Sequence, residues 1–173
     1  MAQDQSPRLN DVNIDTVVSL AGKIQQEPEV AATKWNAHIK WKGGFRSEAT
    51  VRDFSPIVSD EPAALGGTDK GPNPVEQVLA ALGNCLAVGY AANATAAGIE
   101  IKNLSIDLEG DLDLHTFLGL TEGNAGYENI SVKVNIDSDA SPEALQALHD
   151  KVTNTSPVGH TLGRAVPLKI ELA

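Results

Sequence analysis

The longest feature of the hydropathy pattern carries no charge at all. From Gln77 to Ile99 no side chain is charged, and the run is mostly Ala and Gly with Gln77, Asn84, Asn93 and Thr95 inside it. Helix punctuation marks both ends. Asn73 suits an N-cap, Pro74 an N1 position and Glu76 the N3 position of a capping-box arrangement, while Gly98 suits the residue after the last turn. The pattern predicts one helix over 74–97, about 36 Å long. A bilayer span of this length is the competing reading, but the small and polar content is wrong for lipid. A helix without a polar face is otherwise one buried on nearly all sides.

The flanking segments show shorter periods. Val17, Leu20, Ala21 and Ile24 recur at helical spacing and Pro28 stops them, predicting a helix over 12–27. Trp35, Ala37, Ile39 and Trp41 alternate with polar residues as in a half-buried strand. Gly43-Gly44 then signals a turn, and residues 45–54 form the returning strand of a hairpin. Residues 55–74, rich in Pro, Gly and Asp, read as a long loop of the functional or mobile kind. Beyond the central helix, Leu104, Ile106 and Leu108 alternate as a strand that continues toward Leu114. Ile130, Val132, Val134 and Ile136 do the same, with 122–129 as the loop between. Ser141-Pro142-Glu143 opens a helix to about Val152. "TSPVGHTLG" (155–163) reads as irregular or one helical turn, and Val166, Leu168, Ile170 and Leu172 predict a closing strand. Residues 1–10 are polar and expected to be disordered. Antiparallel strands segregated from helices give an α+β class.

Composition narrows the class. The 173 residues suit one domain with room for a core. With 13 Lys+Arg against 23 Asp+Glu the formal charge is -10, which argues against nucleic acid or an anionic membrane as partner. One Cys excludes an intramolecular disulfide. The first residues lack the features of a signal peptide, so a cytoplasmic protein is expected and the sequons at Asn93, Asn103, Asn129 and Asn154 are coincidental.

That one thiol, Cys85, lies inside the charge-free run. Its four-residue row reads Ala81, Cys85, Gly89, Asn93 and Ala97, all small or modest, a stripe that lets another helix approach closely. Packing alone accounts for a cysteine here, since free cysteines are among the most buried residues. A reactive thiol needs a nearby cation or a helix N-terminus together with access. Cys85 is some three turns into its helix, where the dipole has faded, so an Arg or Lys has to supply the field. Other chemistry lacks support. His115, His149 and His160 have no metal-ligand spacing, the Gly-rich 66–73 stretch is not a nucleotide loop, and Ser156 has no nucleophile-elbow context. Asp107, Glu109, Asp111 and Asp113 read as a solvated strand face. No metal or cofactor is expected.

"GGTDKGPNPVEQVLAALGNC" (66–85), with "SPVGHTL" (156–162), closely resembles the OsmC-like family, which includes the organic hydroperoxide resistance proteins. The resemblance covers roughly residues 35–173 and leaves 1–34 as an N-terminal tail and helix extension. It implies an OsmC-like fold, with antiparallel sheets around a long buried central helix in an intertwined homodimer. In the peroxidase members a thiolate at the position of Cys85 attacks the peroxide O–O bond, and a second Cys condenses with the resulting sulfenic acid. An Arg of the N-terminal hairpin, paired to a Glu near the start of the central helix, supports the thiolate. This chain departs from that pattern. Ser156 stands where the resolving Cys is expected. Val75 occupies the Glu slot, and Glu76 follows one residue, about 100°, around the helix. Arg46 is the nearest match to the Arg, with Arg52 as runner-up. The resemblance thus implies a one-Cys thiol peroxidase for small organic hydroperoxides, reset by an external thiol, with Cys85 as nucleophile, Arg46 its support and Glu76 a partner for Arg46 or only a cap. The alternative is a non-catalytic dimer that binds a small apolar or electrophilic ligand, with Cys85 as packing.

Overall fold

The computed structural model describes residues 8–172. The chain divides into two compact units, one of residues Asp15–Val78 and one that joins the segment up to Ile14 to everything from Leu79 onward.

The smaller unit takes in helix α1 (Ile14–Gln26) from its second residue, and none of that helix is buried. Its sheet is antiparallel in the order β1 (His38–Gly43), β2 (Arg46–Thr50), β3 (Ile57–Ser59). Ile39 faces Ala49 and Trp41 faces Ser47, and the register slips between Trp41 and Gly43 where the chain turns through Gly43 and Gly44, both at positive φ. The strand begins at His38 rather than Trp35, and Trp41 remains 72% exposed. The expected hairpin is therefore present, but the burial that its alternation predicts is not made.

The 55–74 segment, expected as one long loop, holds short elements of its own. It contains β3 and a 3-10 turn over Ala63–Leu65, and it closes on Asp60, which is 1% exposed. The Asp60 carboxylate accepts from Thr68 Oγ1 at 2.5 Å and from the backbone N–H groups of Glu61, Thr68 and Lys70 at 2.9, 3.1 and 3.2 Å. A buried carboxylate that satisfies four donors organises the backbone around it. The Thr68 hydroxyl bond, aided by the backbone donors, holds its pKa below the ordinary aspartate value against burial. Gly67 is required there, since a Cβ would lie 1.8 Å from Glu61 O.

Helix α2 (Pro74–Ala96) matches its predicted bounds to one residue and is long and apolar enough, by length and composition, to cross a membrane. In the larger unit it packs on the antiparallel pair β4 (Asn103–Asp111) and β5 (Asn129–Asp137), paired without interruption from Asn103–Asp137 to Asp111–Asn129. One face of that pair, from Leu104, Ile106 and Leu108 to Ile130, Val134 and Ile136, packs against a core of Leu82, Leu86, Tyr90, Ala94, Leu148 and Val152. The other face carries Asp107, Glu109 and Asp111, solvated as expected, with Asn135 and Asn129 donating to Asp107 and Asp111. Asp113 leaves this row. The strand stops at Asp111, and Asp113 caps a short helix α3 (Leu114–Phe117) that the alternation hid.

Helix α4 (Pro142–Thr153) starts on its Ser141 cap, with Ser141 Oγ accepting from Ala144 N at 3.2 Å, and α5 (Pro157–Leu162) starts in the same way on Ser156. The small residues of α2 set its neighbours' distances. A Cβ at Gly83 would sit 2.8 Å from Leu108 Cδ1, and one at Gly89 would sit 2.9 Å from Val152 Cγ1. The helix admitted by the small-residue row is thus α4 of the same chain. The opposite side of α2, with Ala81, Asn84 and Val88, is open, and Val88 is 70% exposed.

Both ends differ from expectation. Residues 1–7 lie outside the described residues, but Asn10 is fixed. Its amide donates to Thr95 Oγ1 at 3.0 Å and Ile99 O at 2.9 Å, and its Oδ1 accepts from Ile101 N at 2.8 Å. One side chain thereby satisfies the backbone at the end of α2, which an expectation of disorder through residue 10 missed. At the other end, residues 166–172 alternate as predicted but join no ladder among the described residues, and Ile170 is 91% exposed. A strand is defined by its partner, and alternation supplies side chains without one.

Candidate active site

Cys85 sits on the edge between the covered and open sides of α2. Gly89, four residues on, lies under Val152, while Ala81 and Asn84 face outward. The thiol is half-buried, and its Sγ lies 3.3 Å from Ser156 Oγ. Ser156, 5% exposed, also accepts from Gly159 N at 3.1 Å as the cap of α5. Two residues 71 positions apart are thus brought together because α5 begins beside the middle of α2. A hydroxyl there can donate to a thiolate or to the oxygen of a sulfenate, and it cannot form a disulfide.

Arg46 and Glu76 belong to the smaller unit. Arg46 opens β2, and its Nε–H donates to Gly43 O at 3.4 Å across the turn. Arg52, at positive φ, stacks its guanidinium over Phe54, 4.6 Å from the ring centre. The Glu76 carboxylate accepts from Asn73 N at 2.8 Å, and Glu76 N donates to Asn73 Oδ1 at 2.9 Å. Both halves of the expected capping box are made.

A cleft of about 540 Å³ opens between α2, β5, α4 and α5, with Ser156 in its wall. Tyr90, 2% exposed, hydrogen-bonds through its hydroxyl to His149 Nδ1 within that cleft. Burial pushes the Tyr90 phenol pKa up, so it remains a proton donor at neutral pH. Sequence reasoning missed this pair because the two residues are 59 apart and share no motif. Among the described residues no group of three His, Cys, Asp or Glu side chains could hold a metal ion.

The OsmC-like protein family model matches residues 67–171, more than half of the chain. The chain belongs to the OsmC-like family. The single half-buried cysteine of this OsmC-like protein fits a branch without the second thiol. Solved structures agree on the fold. An OsmC-like protein from Mycoplasma pneumoniae is 23% identical, with 76% of this chain and 88% of that one covered at a TM-score of 0.66. An organic hydroperoxide resistance protein OsmC from Legionella pneumophila is 17% identical over 76% and 91% of the two chains, at 0.55. A putative organic hydroperoxide resistance protein from Vibrio cholerae, solved with captopril in one of its active sites, is 14% identical over 76% and 87%, at 0.56. At these identities the likeness establishes the architecture. No curated protein matches the chain.

Proposed function

We propose that this OsmC-like protein is a one-cysteine thiol peroxidase acting on small organic hydroperoxides. The observation that carries the reading is the contact between the half-buried Cys85 and Ser156, in a family some of whose solved members are named for organic hydroperoxide resistance. The Cys85 thiolate attacks the terminal peroxide oxygen, the O–O bond breaks, and the alkoxide leaves as the alcohol after taking a proton. Sulfur keeps the transferred oxygen as a sulfenic acid. With Ser156 unable to resolve it, an external thiol condenses with the sulfenic acid and releases water. A second thiol then attacks the mixed disulfide and frees Cys85. The sum is one hydroperoxide and two thiols to one alcohol, one water and one disulfide.

Arg46 is the cation assigned to the thiolate, and Glu76 orients it or serves only as a cap. Residues 1–34 are an extension ahead of an OsmC-like domain from residue 35. The working form is an intertwined homodimer in the cytoplasm. The open side of α2, the exposed Trp41 and the unpaired 166–172 segment are the surfaces that a second copy would cover.

One observation favours the alternative, a non-catalytic dimer that binds an apolar or electrophilic ligand. The hydrogen-bonding partner of Sγ in its own unit is a neutral hydroxyl, which stabilises a thiolate less than a guanidinium does. Adding one equivalent of cumene hydroperoxide and trapping sulfenic acid for mass spectrometry separates the two. Rapid stoichiometric trapping on Cys85, lost in Cys85→Ser and slowed in Arg46→Gln, is the expected result. Labelling no faster than that of free cysteine would reject the peroxidase.

A further inference from the structure

The cleft beside α2 has a polarity of its own. Its floor is aliphatic, formed by Leu82, Leu86, Val132 and Val134, and its rim carries His149, His160 and Arg164. The chain has 23 acidic residues and a net charge of -10, yet none of those carboxylates lines this cleft. A volume of about 540 Å³ falls in the range of small-molecule sites.

Most polar atoms of the rim are already engaged. Thr153 Oγ1 donates back to His149 O at 3.0 Å, and Ser156 Oγ serves Gly159 N and the Cys85 sulfur. The Tyr90 hydroxyl is bonded to His149 Nδ1, and His160 Nε2–H donates to Asn154 O at 3.0 Å. Arg164 is different. It follows the end of α5, where Gly163 N closes on Gly159 O at 2.9 Å, and its guanidinium has no hydrogen-bonding or ionic partner among the described residues. An unpaired guanidinium at the mouth of an aliphatic trough matches an apolar chain that ends in a carboxylate, which the guanidinium fork binds through two hydrogen bonds.

We propose that this cleft binds a small amphipathic monocarboxylate, with its chain over Leu82, Leu86, Val132 and Val134 and its carboxylate on Arg164. The site requires no turnover at Cys85, so it stands or falls apart from the peroxidase reading.

Calorimetric titration of the full-length protein with decanoate and with decanol tests it. Decanoate binds saturably at one per chain, and decanol binds about tenfold more weakly for want of the charged hydrogen bonds. Arg164→Gln lowers decanoate affinity by about the same factor and leaves decanol unchanged, while Arg164→Lys falls between. Val132→Glu, at a partly exposed position, abolishes decanoate binding by bringing a like charge into the trough. Cys85→Ser binds as the parent protein does. Equal affinity for decanoate and decanol overturns the proposal. So does an Arg164→Gln variant that binds decanoate as tightly as the parent, or the absence of saturable binding.

Discussion

At the residue scale, Ser156 is the position on which the chemistry turns. Its oxygen already lies 3.3 Å from the Cys85 sulfur, so Ser156→Cys is expected to restore a resolving thiol. Treated with one equivalent of cumene hydroperoxide, the variant should lose two hydrogens by mass and show a disulfide to Cys85, while the parent protein accumulates sulfenic acid. Loss of the α5 cap should cost about 0.5–2 kcal/mol of stability. A variant that still accumulates only sulfenic acid would show that the two side chains do not meet in solution. Asp60 makes a different kind of prediction. Its folded-state pKa is lowered, so its contribution is present above the ordinary aspartate value and is lost as pH falls through the lower folded-state value. Urea midpoints should therefore drop on acidification below about pH 4, and Asp60→Asn should flatten that dependence while lowering stability at neutral pH. Parallel pH curves for the two proteins would show that the loop does not depend on this carboxylate. Asp60, like Asn10, was not legible in the sequence, because most of its partners are backbone groups, which carry no residue signature.

At the element scale, local signals were reliable at the helix caps and at the two alternating runs that found a partner, but not at residues 166–172. The Asn73-Pro74-x-Glu76 start and the Ser141-Pro142 start became helix N-termini, and the alternation from Leu104 and from Ile130 became the β4–β5 pair. Short elements were lost. β3 and α3 have three and four residues, too few for a period to show. The glycines of α2 could be read as a surface for close approach, but not which element approaches. The structure gives Gly89 to α4 through Val152. Gly89→Leu is expected to destabilise the protein by about 1–3 kcal/mol in urea unfolding through overpacking. Val152→Ala in the same chain should recover part of that loss, as a coupling of about 0.5–3 kcal/mol. Strict additivity of the two changes would place the clash elsewhere.

At the scale of the whole molecule, the proposed dimer makes the simplest prediction. Sedimentation should give twice the chain mass. Deleting residues 165–173 should weaken association, because that segment carries exposed Leu168, Ile170 and Leu172 and joins no ladder among the described residues. A monomeric full-length protein would leave these apolar residues without a reason. The sequence by itself determined the central helix, the acidic outer face of the β4–β5 pair, the family and the lone thiol. The family came from the resemblance of residues 66–85 and 156–162, whereas the helix and the acidic face rest on spacing along the chain, where neighbours in sequence are neighbours in space. Tertiary structure alone decided that Ser156 touches the sulfur, that Asp60 ties its loop, that Tyr90 meets His149, and that Arg164 lines an aliphatic cleft without a partner among the described residues. The Ser156 and Tyr90 contacts join residues 71 and 59 positions apart and form only when packing of the core brings separate elements together, while the Asp60 partners lie within ten residues but follow no period.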